Sequence, residues 1–96
     1  MSVHVFIRLE ARQGSEAELR DELLRVLGPT RAESGCLAIH AFESLGDPRI
    51  FHVHSEWVSE AAFDLHATLP HMVRFLEAAA RCVSHPVQGV RTRQLG

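Results

Sequence analysis

Three side chains in the middle of the chain could take part in chemistry: Trp57, His66 and His71, all in the segment EWVSEAAFDLHATLPH at positions 56–71. A histidine ring exchanges a proton near neutral pH, which makes it the commonest general base in enzymes. A tryptophan ring can form a rigid wall of a binding pocket, because pockets are lined mainly by apolar side chains with few polar groups. The segment therefore predicts a titratable base beside an aromatic wall.

The same residues also have a simpler interpretation as packing. Trp57 ends a predicted strand with one apolar face, and most such tryptophans are core residues. His66 and His71 flank a Thr-Leu-Pro helix break, so their rings could simply bond to local backbone groups that lack helical partners, or lie exposed to solvent. If a pocket instead lies between the sheet and the helices, the predicted substrate-binding residues are Phe51, Val53, Ser55 and Phe63.

A second group of polar side chains lies on the opposite face of the same strand. It comprises His52, His54 and Glu56, and it could include His40 and His4 from neighbouring strands. Imidazoles and a carboxylate are ligands for zinc and other transition metals. A solvated or dimer-facing strand shows the same alternation, and a His-x-His pair alone is a weak motif. We therefore predict that the protein binds no metal and no cofactor. The alternative is a metal site on this face.

Composition limits the class of protein. The chain has 96 residues, 46% of them hydrophobic and 23% charged, which predicts one globular domain over residues 1–96. The net charge is −2, and the ten basic residues are scattered arginines, so we expect no nucleic-acid partner. We expect no leader peptide, no membrane span and a cytoplasmic location. Cys36 and Cys82 form no CxxC motif and are expected to stay reduced, without a chemical role.

The elements that must position these residues follow from periodicity. Residues 3–10 alternate between an apolar face and a polar face, which predicts a strand. Ser15 and Glu18 form a predicted capping box for a helix whose apolar stripe is Leu19, Leu23, Val26 and Leu27. Gly28-Pro29 is expected to disturb this helix near its end, and Ser34-Gly35 to stop it.

The second half of the chain repeats the pattern. Residues 36–42 and 49–57 predict a hairpin around the LGDP turn. Ser59 is expected to cap a short helix that ends near His66, and Pro70 to begin the next helix, over residues 70–83. The predicted stripe of that helix is Val73, Leu76, Ala80 and Val83. Residues 87–95 predict a weak last strand.

This order of elements predicts an α+β fold, the ferredoxin-like split βαβ sandwich with a four-stranded antiparallel sheet. Both helices cover one face of such a sheet. The other face would carry Phe6 and Phe42, so we expect a second copy of the chain to cover it and form a homodimer.

Three stretches resemble the antibiotic biosynthesis monooxygenase family: ESGCL (33–37), the hairpin ending in Trp57, and AAFDLHATLPHMVRF (61–75). The resemblance extends roughly from Val3 to Ala80. It implies a dimeric α+β barrel that oxidises a quinol-like or polycyclic aromatic substrate with O2, often without a cofactor. It matches Trp57, His66 and His71 to the family's strand-end tryptophan and its two histidines, with His66 as the base that takes a phenolic proton.

Two departures from the family pattern leave an alternative open. The family often has a glutamate two residues before the tryptophan, where this chain has Ser55. Heme-degrading relatives use an asparagine on the first strand, where this chain has Ile7, so we do not expect heme degradation. The alternative function is a non-catalytic dimeric small-molecule-binding or stress-associated domain of the same fold.

Overall fold

Seven elements follow one another along residues 2–96, the part of the chain that the computed structural model describes. They are β1 (Val3–Glu10), α1 (Glu16–Arg31), β2 (Cys36–Glu43), β3 (Ile50–Trp57), α2 (Glu60–His66), α3 (Pro70–Cys82) and β4 (Gln88–Thr92). The strands form one sheet in the order β2-β3-β1-β4, and every neighbouring pair is antiparallel. This topology confirms the predicted ferredoxin-like α+β sandwich.

The two faces of the sheet differ as the alternation predicts. On β1, Val5 and Leu9 are buried beneath the helices, whereas Phe6 on the opposite face is 50% exposed. Val5 pairs with Ser55 and Leu9 with Phe51, so the inward face of β1 continues into the inward face of β3. The predicted apolar stripe of α1 is also confirmed, because its four members are all buried: Leu19, Leu23, Val26 and Leu27. The core therefore lies between the inward face of the sheet and the helices.

The start of α1 differs from the predicted capping box. Ser15 is the N-cap residue, but its side chain makes no capping hydrogen bond. The Gly14 amide instead donates to the carboxylate of Glu16. A negative side chain in the first turn also interacts favourably with the partial positive charge of the helix N-terminus. The capping role predicted for Glu18 was therefore wrong, and the acidic side chain that bonds here is Glu16.

The end of α1 is also more regular than predicted. The helix continues through Gly28-Pro29 and ends at Arg31. A proline inside a helix removes one hydrogen bond and crowds the preceding turn. Leu27 and Thr30, on either side of Pro29, are both buried. We attribute the unbroken helix to this packing, which holds the last turn against the core.

The buried stripe of α3 is not the predicted one. Val73 and Leu76 are 43% and 41% exposed, and Ala80 is exposed as well, whereas Val83 is buried just beyond the end of the helix. The buried residues of α3 are Phe75, Ala78, Ala79 and Cys82. Both sets recur at helical spacing, so periodicity alone could not select between them. The contacts of α3 with α1 and the sheet decide which stripe faces inward.

The outer face of the sheet has no covering element among residues 2–96. Phe6, Phe42 and Val90 lie on it, each at least half exposed. Within the same residues, no helix has the length and apolar character that a membrane span requires.

Candidate functional site

His66 lies at the point where α2 meets the sheet. Ser59 begins α2 as predicted, because its hydroxyl accepts a hydrogen bond from the Ala62 amide at 3.1 Å. The helix ends at His66, and Pro70 occupies the first turn of α3. His66 is only 3% exposed, and its ring centroid lies 4.6 Å from that of Trp57. The short helix thus places an imidazole inside the protein rather than at its surface.

A carboxylate from another part of the chain holds this imidazole. His66 Nδ1 and His71 Nε2 each lie 2.7 Å from the same oxygen of Glu33, Oε2. A carboxylate oxygen only accepts hydrogen bonds when it is ionised, so each ring donates an N–H to it. In the neutral His66 ring the proton is then on Nδ1, and Nε2 carries a free electron pair. Glu33 therefore sets the tautomer in which His66 can act as a base.

Gly35 allows Glu33 to reach the histidines. Glu33 lies in the turn between α1 and β2, and this turn packs against α2. A Cβ atom at Gly35 would lie 2.5 Å from the Cβ of Ala62, a separation that real contacts do not show. The Gly35 carbonyl also accepts a hydrogen bond from the Val58 amide at 3.0 Å. The absence of a side chain at Gly35 therefore permits the close approach of the turn to α2.

Trp57 is both a core residue and a neighbour of the imidazole. Its side chain is fully buried, and its Nε1–H donates to the Ser55 hydroxyl at 2.9 Å. The ring also contacts Phe63 edge-on, with 5.6 Å between the centroids. The Ser55 hydroxyl thus orients the indole at the position where the resemblance led us to expect a glutamate. The packing interpretation and the pocket-wall interpretation of Trp57 are compatible.

A small enclosed cavity of about 60 Å³ lies between the helices and the sheet. Four of the predicted site residues line it: Val53, Ser55, Phe63 and His66. Trp57 and His71 are not part of its lining, but both rings lie within 6.0 Å of the His66 ring, measured between centroids. Phe51 belongs to the core near the other end of β3 and does not line the cavity. The structure therefore brings His66 together with five of the other six predicted residues and leaves Phe51 apart.

Sequence reasoning missed two residues of this site. Glu33 begins the ESGCL motif, so the resemblance contained it, but nothing local linked it to His66 or His71. Thr30 is completely buried and lines the cavity, and its hydroxyl has no hydrogen-bond partner in residues 2–96. A threonine in the last turn of a predicted helix carries no sequence signal for such a role.

On the outer sheet face, His4 contacts both His54 and Glu56. His4 Nδ1 lies 2.9 Å from His54 Nε2, and His4 Nε2 lies 3.7 Å from the Glu56 carboxylate. Burial lowers the pKa of His54, and repulsion from His4 and His40 lowers it further. In the described part of the chain, this face does not bring three metal-ligating atoms within reach of one ion. The outer face among residues 2–96 therefore lacks the three-ligand spacing that the alternative metal site would need.

The two cysteines are free thiols, as predicted. Cys82 is buried and Cys36 is half-buried. Burial is the main cause that raises the pKa of each thiol, and Glu33 adds to the effect at Cys36. Because the thiolate is the reactive form, the raised pKa values make both cysteines poor nucleophiles.

Comparison with known proteins agrees with this architecture. The chain is 26% identical over 92 residues to a Bacillus subtilis protein named "Putative monooxygenase YcnE", with 96% of this chain and 93% of that protein covered. The structure of Rv0793 from Mycobacterium tuberculosis has a TM-score of 0.94 and 26% identity, and covers 100% of this chain and 97% of its own. NE2512 from Nitrosomonas europaea, a protein of unknown function, has a TM-score of 0.88 and 30% identity, covering 99% of this chain and 90% of its own.

A family model also matches most of the chain. The model described as antibiotic biosynthesis monooxygenase matches residues 2–78, which include Glu33, Trp57, His66 and His71. The matched range extends from the start of the sheet into α3. The chain therefore belongs to the antibiotic biosynthesis monooxygenase family.

Proposed function

We propose that the protein is a monooxygenase that needs no cofactor and oxidises a quinol-like or polycyclic aromatic metabolite with O2. The observation that carries this proposal is the Glu33 carboxylate, which holds the Nδ1–H of His66 and leaves Nε2 as a base. His66 lines an apolar cavity, where a phenolic hydroxyl could reach that nitrogen. The roles assigned to His66, Trp57 and His71 are part of the proposal.

In this proposal, proton transfer starts the reaction. His66 Nε2 takes the phenolic proton, and Glu33 stabilises the positive charge that the imidazole gains. The phenolate is a stronger electron donor than the phenol and passes one electron to O2. Recombination of the two radicals forms a carbon–oxygen bond, and the resulting peroxide takes back the proton held by His66 Nε2. Loss of the hydrogen on that carbon as a proton, with cleavage of the O–O bond, leaves a carbonyl group and releases water. The substrate supplies every electron that O2 requires, so the balance is complete without another reductant.

The cavity must enlarge to admit such a substrate. Its volume is about 60 Å³, whereas an apolar cavity of about 150 Å³ is of a size that binds benzene. The short helix α2 carries both Phe63 and His66 and forms one wall. We infer that α2 moves away from the sheet when the substrate binds. The Thr30 hydroxyl would then offer a hydrogen bond to an oxygen of the substrate.

The proposal includes a homodimer of this single domain. Phe6, Phe42 and Val90 form an apolar patch on the outer sheet face. Contiguous exposed apolar surface often marks an interface, and a two-fold axis would bring the same patch of both copies together. This arrangement would give the dimeric α+β barrel that the family resemblance implies.

The test is O2 consumption by purified, chelator-treated protein with a panel of hydroquinones and anthrones. Turnover with one aromatic class, lost in His66→Gln and kept in His52→Gln, would support the proposal. The chain has a single tryptophan, Trp57, so its fluorescence reports binding in the same samples. A fluorescence change without O2 consumption across the panel would favour the alternative, a binding domain that performs no oxidation.

A further inference from the structure

Glu33, His66 and His71 bring three potential metal ligands together. One atom from each side chain lies within 4.8 Å of the other two, and both histidine nitrogens are 2.7 Å from the Glu33 carboxylate. In residues 2–96 this is the one group of three with such spacing. We propose that it binds a divalent transition metal of the zinc class, a site distinct from the outer-face histidines.

The donor set fits that class of ion. Two imidazole nitrogens and one carboxylate oxygen ligate zinc in many catalytic sites, and non-heme iron uses the same set. Three protein ligands leave a fourth position for water or another small molecule. Harder ions such as calcium or magnesium prefer oxygen ligands, so the two nitrogens favour zinc or cobalt over them.

Small shifts of the three side chains would bring their ligand atoms to the spacing of a tetrahedral zinc site. Ligand atoms around a tetrahedral zinc lie roughly 3.4 Å apart, given bond lengths of about 2.1 Å. The two contacts with Glu33 would lengthen slightly, and the histidine nitrogens would approach one another. His66 and Glu33 are held in the interior, with side chains 4% and 11% exposed. His71, at 24% exposure in the first turn of α3, is the most exposed of the three ligands, so an ion would enter from solvent on its side.

Metal binding would change the tautomer of His66. An ion bound at Nδ1 replaces the proton that this nitrogen now donates in its hydrogen bond to Glu33. A neutral ring must then carry its proton on Nε2. Nε2 could then no longer accept a proton from a substrate. This consequence rests on the proposed function, whereas binding of the ion itself does not.

The experiment is a titration of the tag-free, chelator-treated protein with Co²⁺ alone and with Zn²⁺ alone. We expect one equivalent per chain, a visible absorption band for bound Co²⁺, and a rise in Tm with Zn²⁺. His71→Gln and Glu33→Gln should each weaken binding by at least about 10²-fold, because each removes a direct ligand. The double variant His52→Gln, His54→Gln is the matched control and should bind as the wild type does.

A second measurement uses the wild-type protein alone, so its result does not depend on whether a variant folds. In the wild-type protein, Zn²⁺ should shift the imidazole ¹⁵N resonances of His66 and His71 before those of His52 and His54. Binding below one equivalent, binding that survives in His71→Gln and Glu33→Gln, or binding lost in the control variant would each overturn the proposal.

Discussion

At the scale of single residues, the candidate site depends on one carboxylate. Glu33 Oε2 accepts from two histidines that are 33 and 38 positions away in the chain. Because the three side chains are at least partly buried, these charge-assisted contacts are poorly screened by solvent. Removing Glu33 would leave the His66 ring without a group that selects its tautomer.

We expect Glu33→Gln to lower kcat by roughly 10² to 10⁴, the usual effect of removing a general base or the carboxylate that orients it. His66→Gln should lower kcat to a similar degree, and His71→Gln should lower it less, because His71 does not line the cavity. The measurement is O2 consumption with a substrate from the panel. Thermal melts must show folded variants, and His52→Gln is the control. Unchanged kcat in Glu33→Gln would rule out its orienting role.

The Trp57–Ser55 hydrogen bond allows a second prediction. Ser55→Ala would leave the buried indole N–H without its acceptor, at a cost of about 1 to 3 kcal/mol in the free energy of unfolding. Trp57→Phe removes that donor along with some volume, and should cost a similar amount. In the Trp57→Phe background, Ser55→Ala should therefore cost clearly less. Chemical denaturation of the four proteins in this cycle measures the coupling, and additive costs would contradict it.

At the scale of elements, the site depends on how the turn between α1 and β2 packs against α2. Gly35 in the turn and Ala62 in α2 are too close for a side chain at Gly35. This contact sets the distance between Glu33 and His66 without taking part in any chemistry. A change there should alter both stability and the site.

Gly35→Ala should reduce the free energy of unfolding by about 1 to 3 kcal/mol, because the new methyl group forces the turn away from α2. Gly46→Ala is the matched control, because a Cβ atom at Gly46 would lie 3.9 Å from the Ser44 hydroxyl oxygen, an ordinary van der Waals contact, and its φ angle is not positive. It should stabilise the protein by about 0.4 to 1 kcal/mol. Denaturant melts compare the two variants. Equal effects of the two substitutions would show that the turn is not closely packed.

At the scale of the whole molecule, the outer face of the sheet determines how copies could associate. Phe42 is 54% exposed on that face, and Leu24 is 59% exposed on α1, in the helix layer. Both are large apolar side chains, but only Phe42 belongs to the proposed interface.

We expect the wild-type protein to sediment as a dimer at micromolar concentration and Phe42→Glu to sediment as a monomer. A charge buried in an apolar interface loses its solvation, which destabilises the dimer. Leu24→Glu should remain a dimer. A monomeric wild type, or equal dissociation of both variants, would contradict the proposed interface.

The lowered pKa of His54 on the same face predicts that stability depends on pH. Burial, followed by repulsion from His4 and His40, lowers the pKa of His54, and the nearby Glu56 only partly offsets this. The unfolded chain therefore takes up a proton at higher pH than the folded chain. Above pH 6.5, the ordinary pKa of histidine, His54 has little effect, and as pH falls below that value it progressively favours unfolding.

We therefore expect Tm to fall less between about pH 7.5 and about pH 5.5 in His54→Gln than in the wild type. His85→Gln, at an exposed position before β4, is the control and should follow the wild type. Calorimetry at one protein concentration makes the comparison. A larger fall in Tm for His54→Gln than for the wild type would contradict the prediction, because it would mean that His54 stabilises the folded protein at low pH.

The sequence by itself determined the local features of the protein. The alternation of apolar and polar residues with a period of two assigned the faces of β1 and β3. It also placed Trp57 toward the core. Ser59 and Pro70 marked the starts of α2 and α3, because a cap and a first-turn proline act within one helical turn. These rules involve neighbours in the chain, so a single sequence is sufficient to apply them.

Only the tertiary structure decided which distant groups meet. Helical spacing allowed two stripes on α3, and packing selected the one that contains Phe75. Glu33 joined His66 and His71 because the turn that carries it approaches α2 at Gly35. The partners are separated by more than thirty residues, and no local periodicity relates them. The proximity of His66 and Trp57 could thus be predicted from sequence, whereas the carboxylate that accepts a hydrogen bond from His66 required the fold.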